Sequence, residues 1–342
     1  MYLTGISNEW TELPAGQEKR RVSLQERGVY RVLGANGEQA ATLSGKFRRA
    51  ALSALDYPVV GDYVAVLPNA DGAAVIQALL PRRSVFLRRA AGTSRTEQAV
   101  AANIDTVLIC MALNHDFNLR RLERYLAVVW DSGAKPVVVL TKADLCDCLP
   151  ERIAQAERTA IGAEVIALSA LDGAGSARLS PYLGAGQTLA LVGSSGVGKS
   201  TLVNYMLGEA RLKTGGLRND DKGRHTTTHR EMLVLPGGAV VIDTPGMREL
   251  GLWDNETGTA AAFADVEALA AQCRFADCTH RSEPGCAVRA ALACGELPQE
   301  RLEAYERLGA ESAYGADAAA YRAAKEQRFR QIAMYNKNNR KK

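Results

Sequence analysis

The sequence predicts a multidomain protein. Its parts are an N-terminal antiparallel β-barrel like the oligonucleotide-binding (OB) fold, a central α/β domain on a parallel sheet, and a C-terminal helical domain organised around a metal. Three observations predict it. The chain has 342 residues, enough for two or three domains at roughly 150 residues each. Its hydrophobic rhythm changes twice, from short alternating runs to compact apolar strands separated by helical stretches, and then to helix alone. Four of its seven cysteines fall between positions 273 and 294, too clustered for a secreted disulfide scaffold and well placed for one metal ion.

Residues 1–18 read as a flexible N-terminus. From 19 to 92, alternating runs such as GVYRVL, AATLSG, DYVAVL and AAVIQALL are separated by the turn signals GANG and NADG. Short strands at this spacing make a small barrel or sandwich, and about five strands with a basic face is the size of an OB fold. From 93 to 257 the segments DTVLICMA, LRRLERYLAVVWDSG, PVVVLT, a further helix, EVIALS, TLALVG, EMLVL and AVVID follow one another. Strand, helix, strand is the pattern of a parallel sheet with helices on its faces. From 258 to 342 the strands stop. A cysteine-rich segment precedes a helical stretch from about Pro298 to Ala333 and a basic tail, NKNNRKK.

Composition narrows the function classes. With 47% hydrophobic and 23% charged residues, the chain can bury enough apolar surface to outweigh chain entropy, which excludes disorder throughout. No uncharged apolar run approaches the ~18 residues that span a bilayer, and MYLTGISNEW lacks the basic and apolar regions of a secretion signal. The expectation is a soluble, cytoplasmic chain with no membrane partner. The net charge of +4 hides an asymmetry. Residues 1–95 hold 13 Lys/Arg against 8 Asp/Glu, and residues 322–342 hold 8 against 1, so basic ends flank an acidic centre and invite a polyanion.

The strongest motif is LALVGSSGVGKST, residues 189–201. Gly193, Gly198, Lys199 and Ser200 satisfy G-x-x-x-x-G-K-[ST], with Ser194, Ser195, Gly196 and Val197 between them and Thr201 opening a helix. A strand runs in and a helix runs out, so backbone N–H groups and the positive helix end converge on phosphate oxygens. Lys199 reaches the β/γ-phosphates, and the Ser200 hydroxyl is placed to ligate Mg²⁺.

Two further segments name the base. Thr141-Lys142-Ala143-Asp144 follows PVVVL, and the Asp144 carboxylate can accept both N1–H and the exocyclic amine of guanine, a donor pair adenine lacks. After EVIAL, a backbone N–H of Ser169-Ala170-Leu171 can donate to guanine O6. Asp243-Thr244-Pro245-Gly246 follows AVVI, where an aspartate holds the Mg²⁺ shell and the Gly246 N–H contacts the γ-phosphate. Between these lies GRHTTTHRE. One of Thr226, Thr227 and Thr228 closes on Mg²⁺, with Thr227 taken as that ligand.

All the guanine-nucleotide loops are present, but TKAD and SAL precede GSSGVGKST, RHTTT and DTPG, whereas a Ras-like chain begins with its phosphate loop. The order is a circular permutation. With the barrel before it and the cysteine cluster after it, the chain resembles the ribosome small subunit-dependent GTPase A (YjeQ) family from about residue 20 to 335. Two positions depart from common GTPase usage. Thr141 stands where many have Asn, which keeps a hydroxyl but loses an amide. Met247 stands where Ras-like enzymes carry the water-orienting glutamine. His225 is the leading substitute for that role, with His229 second.

Cys273, Cys278, His280 and Cys286 give C-x4-C-x-H-x5-C, three thiolates and one imidazole that can close a tetrahedral shell around one structural Zn²⁺. Cys294 is the rival fourth ligand. Cys110 lies in a strand and reads as buried, and Cys146 and Cys148 read as incidental. The resemblance assigns the same four residues to zinc. It also implies GTP/GDP with Mg²⁺ as ligands, small-subunit rRNA as partner, a monomeric state, and hydrolysis that times docking. The basic pairs Lys19-Arg20-Arg21, Arg48-Arg49, Arg82-Arg83 and Arg88-Arg89 could neutralise phosphates, whereas Phe47, Tyr57 and Phe86 suit the core better than base stacking. Competing readings are a nucleotide-regulated rRNA-binding module with negligible catalysis and a GTPase that delivers zinc.

Overall fold

The structure is a computed structural model and describes residues 13–26, 28–70, 72–89, 97–212, 230–243 and 260–309. The chain divides into two compact units, Met1–Gly251 and Leu252–Lys342.

The first unit opens with strands β1 (Glu18–Glu26), β2 (Val29–Gly34), β3 (Gly37–Leu43), β4 (Tyr63–Leu67) and β5 (Ala74–Leu79), with the short helix α1 (Gly45–Ala50) after β3. They pair in the order β1-β2-β3-β5-β4, and β4 pairs again with β1, so the barrel is closed. One pair, β3 with β5, is parallel; the others are antiparallel. Alternation explains the closure: inward positions Val22, Tyr30, Val32, Val64, Val66 and Ile76 form one buried cluster, and closing the sheet removes its edges. Phe47 caps this core edge-on to Tyr57, and Phe86 is buried.

Several basic residues that the sequence offers as phosphate contacts are instead turned into the fold. Arg20 is buried and bonded to Glu18 and Gln39. Arg21 is buried and donates to Gly61 O, Asn103 O and Thr188 Oγ1. The Arg82 guanidinium forks onto the fully buried Asp62 carboxylate at 2.8 and 2.7 Å and also donates to Leu55 O and Tyr57 O. These guanidiniums satisfy carbonyls and carboxylates inside the fold, and buried polar groups need such partners. Lys46, Arg48 and Arg49 on α1 remain exposed.

Strands β6 (Val85–Arg89) and β7 (Glu97–Ala102) form a separate antiparallel pair. The α/β part follows: β8 (Thr106–Ala112), α2 (Leu119–Asp131), β9 (Lys135–Thr141), α3 (Leu149–Thr159), β10 (Glu164–Ala167), β11 (Thr188–Val192), α4 (Lys199–Leu207), β12 (Arg230–Val234) and β13 (Val240–Asp243). The order β10-β9-β8-β11-β13 is wholly parallel, and β12 adds antiparallel. Every residue of β8 is buried, as the continuous apolar run VLICMA after Thr106 requires of a strand covered on both faces. Because the five strands are parallel, the loops after Thr141, Ala167 and Val192 and the end of β13 at Asp243 lie at one edge of the sheet.

Strand β1 belongs to both parts. Its first half pairs with β4, and beyond a bulge between Val22 and Leu24 its second half pairs with β12 through Leu24↔Glu231 and Gln25↔Arg230. Barrel and parallel sheet thereby share one eleven-stranded sheet.

In the second unit, α5 (Ala264–Ala270) and α6 (Ala287–Cys294) flank the cysteine segment, and a further helix runs over 299–309. Arg301 ties that helix to α5. Its guanidinium lies over the Phe263 ring at 4.0 Å and donates to Asp265 and Ala262 O.

Candidate functional site

The phosphate loop takes its shape from its glycines. Gly193 has φ +141°, and a Cβ there would come within 2.2 Å of Cys110 O, so β11 can lie against β8 only with glycine at this position. Burial pushes the Cys110 thiol up to about 12, against the opposing pull of the Lys199 charge; it is an inert packing group behind the loop. Gly196 and Gly198 also have positive φ, and Gly198 is the N-cap of α4, with no side chain bonded to the helix end. The first-turn amides of α4 are thus left for an anion. Lys199 Nζ folds back onto Gly193 O at 2.7 Å and Ser194 O at 2.5 Å, while Ser200 and Thr201 are half-buried.

The loop after β9 is joined directly to this cradle. Thr141 Oγ1 donates to Val197 O at 2.6 Å, and Lys142, in the left-handed conformation, donates from Nζ to Gly196 O at 2.9 Å. Thr141 therefore performs the bracing that its hydroxyl allows. Asp144 follows in the exposed turn Ala143–Leu145. The Ala143 amide donates to Leu168 O, which holds this turn to the end of β10 and so to Ser169. The Ser169 amide is occupied by Ala174 O, leaving the amides of Ala170 and Leu171 as candidates for a base carbonyl.

Asp243 ends β13 one residue beyond the pair Ala190↔Ile242, beside the strand that feeds the phosphate loop. His225, Thr226, Thr227, Thr228, His229, Gly246 and Met247 lie outside the described residues.

One side chain at the loop went unflagged by the sequence. Arg121, from the first turn of α2, pairs with Asp116 at 2.6 Å and donates to Ser194 Oγ. Nothing in the local pattern distinguishes it from a solvated helix arginine.

Comparison with known proteins agrees with this geometry. A family model described as RsgA GTPase matches residues 79–253. A Lactiplantibacillus plantarum protein named small ribosomal subunit biogenesis GTPase RsgA 2 is 50% identical over 300 residues, 87% of this chain and 84% of its own. The chain belongs to the RsgA GTPase family. An Opitutus terrae relative named small ribosomal subunit biogenesis GTPase RsgA is 51% identical over 307 residues, 86% of this chain and 84% of its own. Among solved structures, YjeQ from Thermotoga maritima superposes with a TM-score of 0.66 at 26% identity, covering 85% of this chain and 97% of that one. YloQ, described as a circularly permuted GTPase, shares the fold with a TM-score of 0.64 at 22% identity, over 90% and 98% of the two chains. This RsgA family member is a GTP hydrolase whose nucleotide loops occur in permuted order.

In the second unit, the donor atoms of Cys273, Cys278, His280 and Cys286 all lie within 4.8 Å of one another. Cys273 and Cys286 sulfurs are 3.8 Å apart, and His280 Nδ1 is 3.6 and 3.5 Å from them. A tetrahedron with metal–sulfur bonds of about 2.3 Å and metal–nitrogen bonds of about 2.0 Å has edges of about 3.8 and 3.5 Å, so Cys273, Cys286 and His280 stand at the spacing of a shell around a metal of zinc's size, with Cys278 within 4.8 Å of them. Cys294 stands outside the group, exposed and bonded to Ala291 O. The sequence did not flag Glu283. Its carboxylate accepts from Thr279 Oγ1 and N, Arg281 N and Ser282 N at 2.5–3.0 Å. Those bonds, the Thr279 hydroxyl first, hold its carboxyl down at about 2. They also fix the turn in which His280 adopts a left-handed φ of +61°.

Proposed function

We propose that the chain binds GTP and Mg²⁺ at the sheet edge and hydrolyses GTP slowly alone and faster on the small ribosomal subunit, using turnover to time its release during subunit assembly. One observation carries the nucleotide reading: the Asp144 loop and the phosphate loop, 56 residues apart in sequence at Thr141 and Val197, are hydrogen-bonded to each other. The subunit is supported by the relatives' names and by the exposed Lys46, Arg48 and Arg49 on the barrel.

In this reading Gly193 to Thr201 wrap the phosphates. Lys199 leaves its loop carbonyls for the β/γ-oxygens, Asp144 reads N1–H and the amine of guanine, and an amide of Ala170 or Leu171 reads O6. Ser200, Thr227 and Asp243 hold Mg²⁺, which neutralises charge on the transferring phosphoryl group. Gly246 contacts the γ-phosphate, and His225 orients the water. Cys273, Cys278, His280 and Cys286 hold one structural Zn²⁺, whose binding supplies folding energy to a short loop with little apolar content. The chain works as a cytoplasmic monomer; among the described residues no helix is long and apolar enough to cross a membrane.

Phosphate release from GTP and ATP, with and without purified small subunits across a salt series, tests the catalytic reading. The expected result is slow GTP turnover that subunits accelerate strongly, within the 10³ to 10⁵ range roughly found when such sites are completed, with the acceleration lost as salt rises. No acceleration at any salt overturns the subunit timer and favours a nucleotide-regulated RNA-binding module. Metal analysis is expected to find one equivalent of zinc, lost in Cys278→Ser. Two equivalents would place a second site at Cys146 and Cys148.

A further inference from the structure

The segment that reads guanine O6 in the proposed function, Ser169 to Ser176, has the sequence SALDGAGS. Its hydrogen bonds are mostly internal: Ser169 N to Ala174 O, Gly173 N to Ser169 O, Ala174 N to the Asp172 carboxylate, and Ser176 N and Oγ to Gly173 O. Two glycines shape it. Gly173 and Gly175 have φ of +76° and +75°, and a Cβ on Gly175 would come within 2.2 Å of Ala167 O. Leu171, at the tip, is 84% exposed. Ser169 is buried and Ala170 packs against the core of the domain, but from Leu171 to Ser176 the loop is exposed or half-buried, so apolar burial does little to fix its tip.

One side-chain hydrogen bond among the described residues leaves this segment. Ser176 Oγ meets the hydroxyl of Tyr205 at 2.7 Å. The same hydroxyl lies 3.4 Å from where a Cβ on Gly173 would stand, with the ring edge at 3.7 Å, so the tyrosine fills the space that glycine leaves. Tyr205 is on α4, six residues after Lys199, about 9 Å along the helix axis. That helix is rigidly seated. Leu202, Val203, Met206 and Leu207 are buried in the core, and Asn204 bonds Leu212 through both its side-chain oxygen and its nitrogen.

We propose that Tyr205 is a positioning residue for base selection: through Ser176 and Gly173 it locks the Ala170–Leu171 amides at a fixed distance from the helix whose N-terminus holds the phosphates. One helix then sets both ends of the ligand. The phosphates sit on its first turn and the base carbonyl is measured from its last, so a purine without an oxygen at position 6 loses the contact this lock maintains. The inference rests on the guanine reading above, and the test separates the two.

The measurement is the affinity of the full chain for GTP, for inosine triphosphate, which lacks the amine, and for 2-aminopurine riboside triphosphate, which lacks O6 and with it the N1 proton. Wild type is expected to prefer GTP over both analogues. Tyr205→Phe, which keeps the ring and removes the hydroxyl, is expected to reduce the preference for GTP over the 2-aminopurine nucleotide by about threefold, in the range of one partly exposed hydrogen bond. It should leave the preference over inosine triphosphate, which reads Asp144, unchanged. Ser176→Ala should do the same, and the double variant no more than Ser176→Ala alone. A purely structural role would weaken all three nucleotides alike. Equal loss for all three, or an unchanged 2-aminopurine ratio in Tyr205→Phe, overturns the positioning role. A wild type that binds the 2-aminopurine nucleotide as well as GTP overturns the base reading, and the positioning role with it.

Discussion

Arg82→Ala is expected to cost the first unit about 3–5 kcal/mol, the range found when one partner of a buried ion pair is removed, and to lower its melting midpoint by roughly 10 °C. The variant leaves Asp62, fully buried, with the Val59 amide as the one remaining hydrogen-bond donor to its carboxylate among the described residues, and frees the carbonyls of Leu55 and Tyr57. The sign of the pH dependence follows from the carboxyl. Burial is the largest influence on Asp62 and raises it, with Arg82 pulling it back. Without Arg82 the folded carboxyl rises further and binds a proton that the unfolded chain releases above about pH 4, so the deficit shrinks as the pH falls and grows as it rises. Asp62→Asn in the same background should recover part of the loss. Arg48→Ala provides the contrast: on exposed α1 it should leave the stability within about 0.5 kcal/mol of wild type and reduce the salt slope of subunit binding by about one phosphate contact. Denaturation by circular dichroism from pH 5 to 8 checks the first half, and binding across a salt series the second. An Arg82→Ala chain as stable as wild type would show that the fork does not hold the barrel.

Asp144→Asn should change which base binds without changing stability. The carboxylate offers two acceptors to the two donors of guanine. An asparagine offers one acceptor and one donor, and the donor meets the guanine amine head-on. Charge-assisted hydrogen bonds contribute about 1.5–3 kcal/mol each, so GTP affinity should fall by about 10²-fold or more. Xanthosine triphosphate, with N1–H beside a carbonyl, should gain. Asp144 is exposed and carries no hydrogen bond or ion pair among the described residues, so the melting midpoint should not move. Titration of both nucleotides against both proteins is the check. Equal loss for GTP and the xanthine nucleotide would mean that Asp144 shapes its loop rather than reading the base.

What was legible in the sequence, and what was not, follows the range of the interactions. TVLICMA, apolar after its first residue, announces a buried parallel strand because both its faces are covered. The cysteine cluster was legible because its four donors lie within fourteen residues, close enough for spacing alone to imply a shell. The permuted order of the loops was readable because each motif is local and parallel strands bring all their ends to one edge. Arg21 was not, since its partner Thr188 is 167 positions away; three adjacent basic residues look alike on paper whether they face solvent or a carbonyl. Arg82 misled for the same reason. Glu283 and Arg121 act through geometry that no residue pattern carries. The pairing of β1 with β12 spans some 200 residues, and two pairs in its register leave no periodicity to find.

The central claim is that loops from β9, β10 and β11 meet around one guanine nucleotide. Competition of GDP and ADP for a fluorescent guanine nucleotide bound to the full chain tests it most directly. The account predicts that GDP displaces the probe and that ADP needs a concentration about 10²-fold higher or more, because an adenine edge leaves the Asp144 carboxylate unmatched. Displacement by ADP at the same concentration as GDP would contradict it.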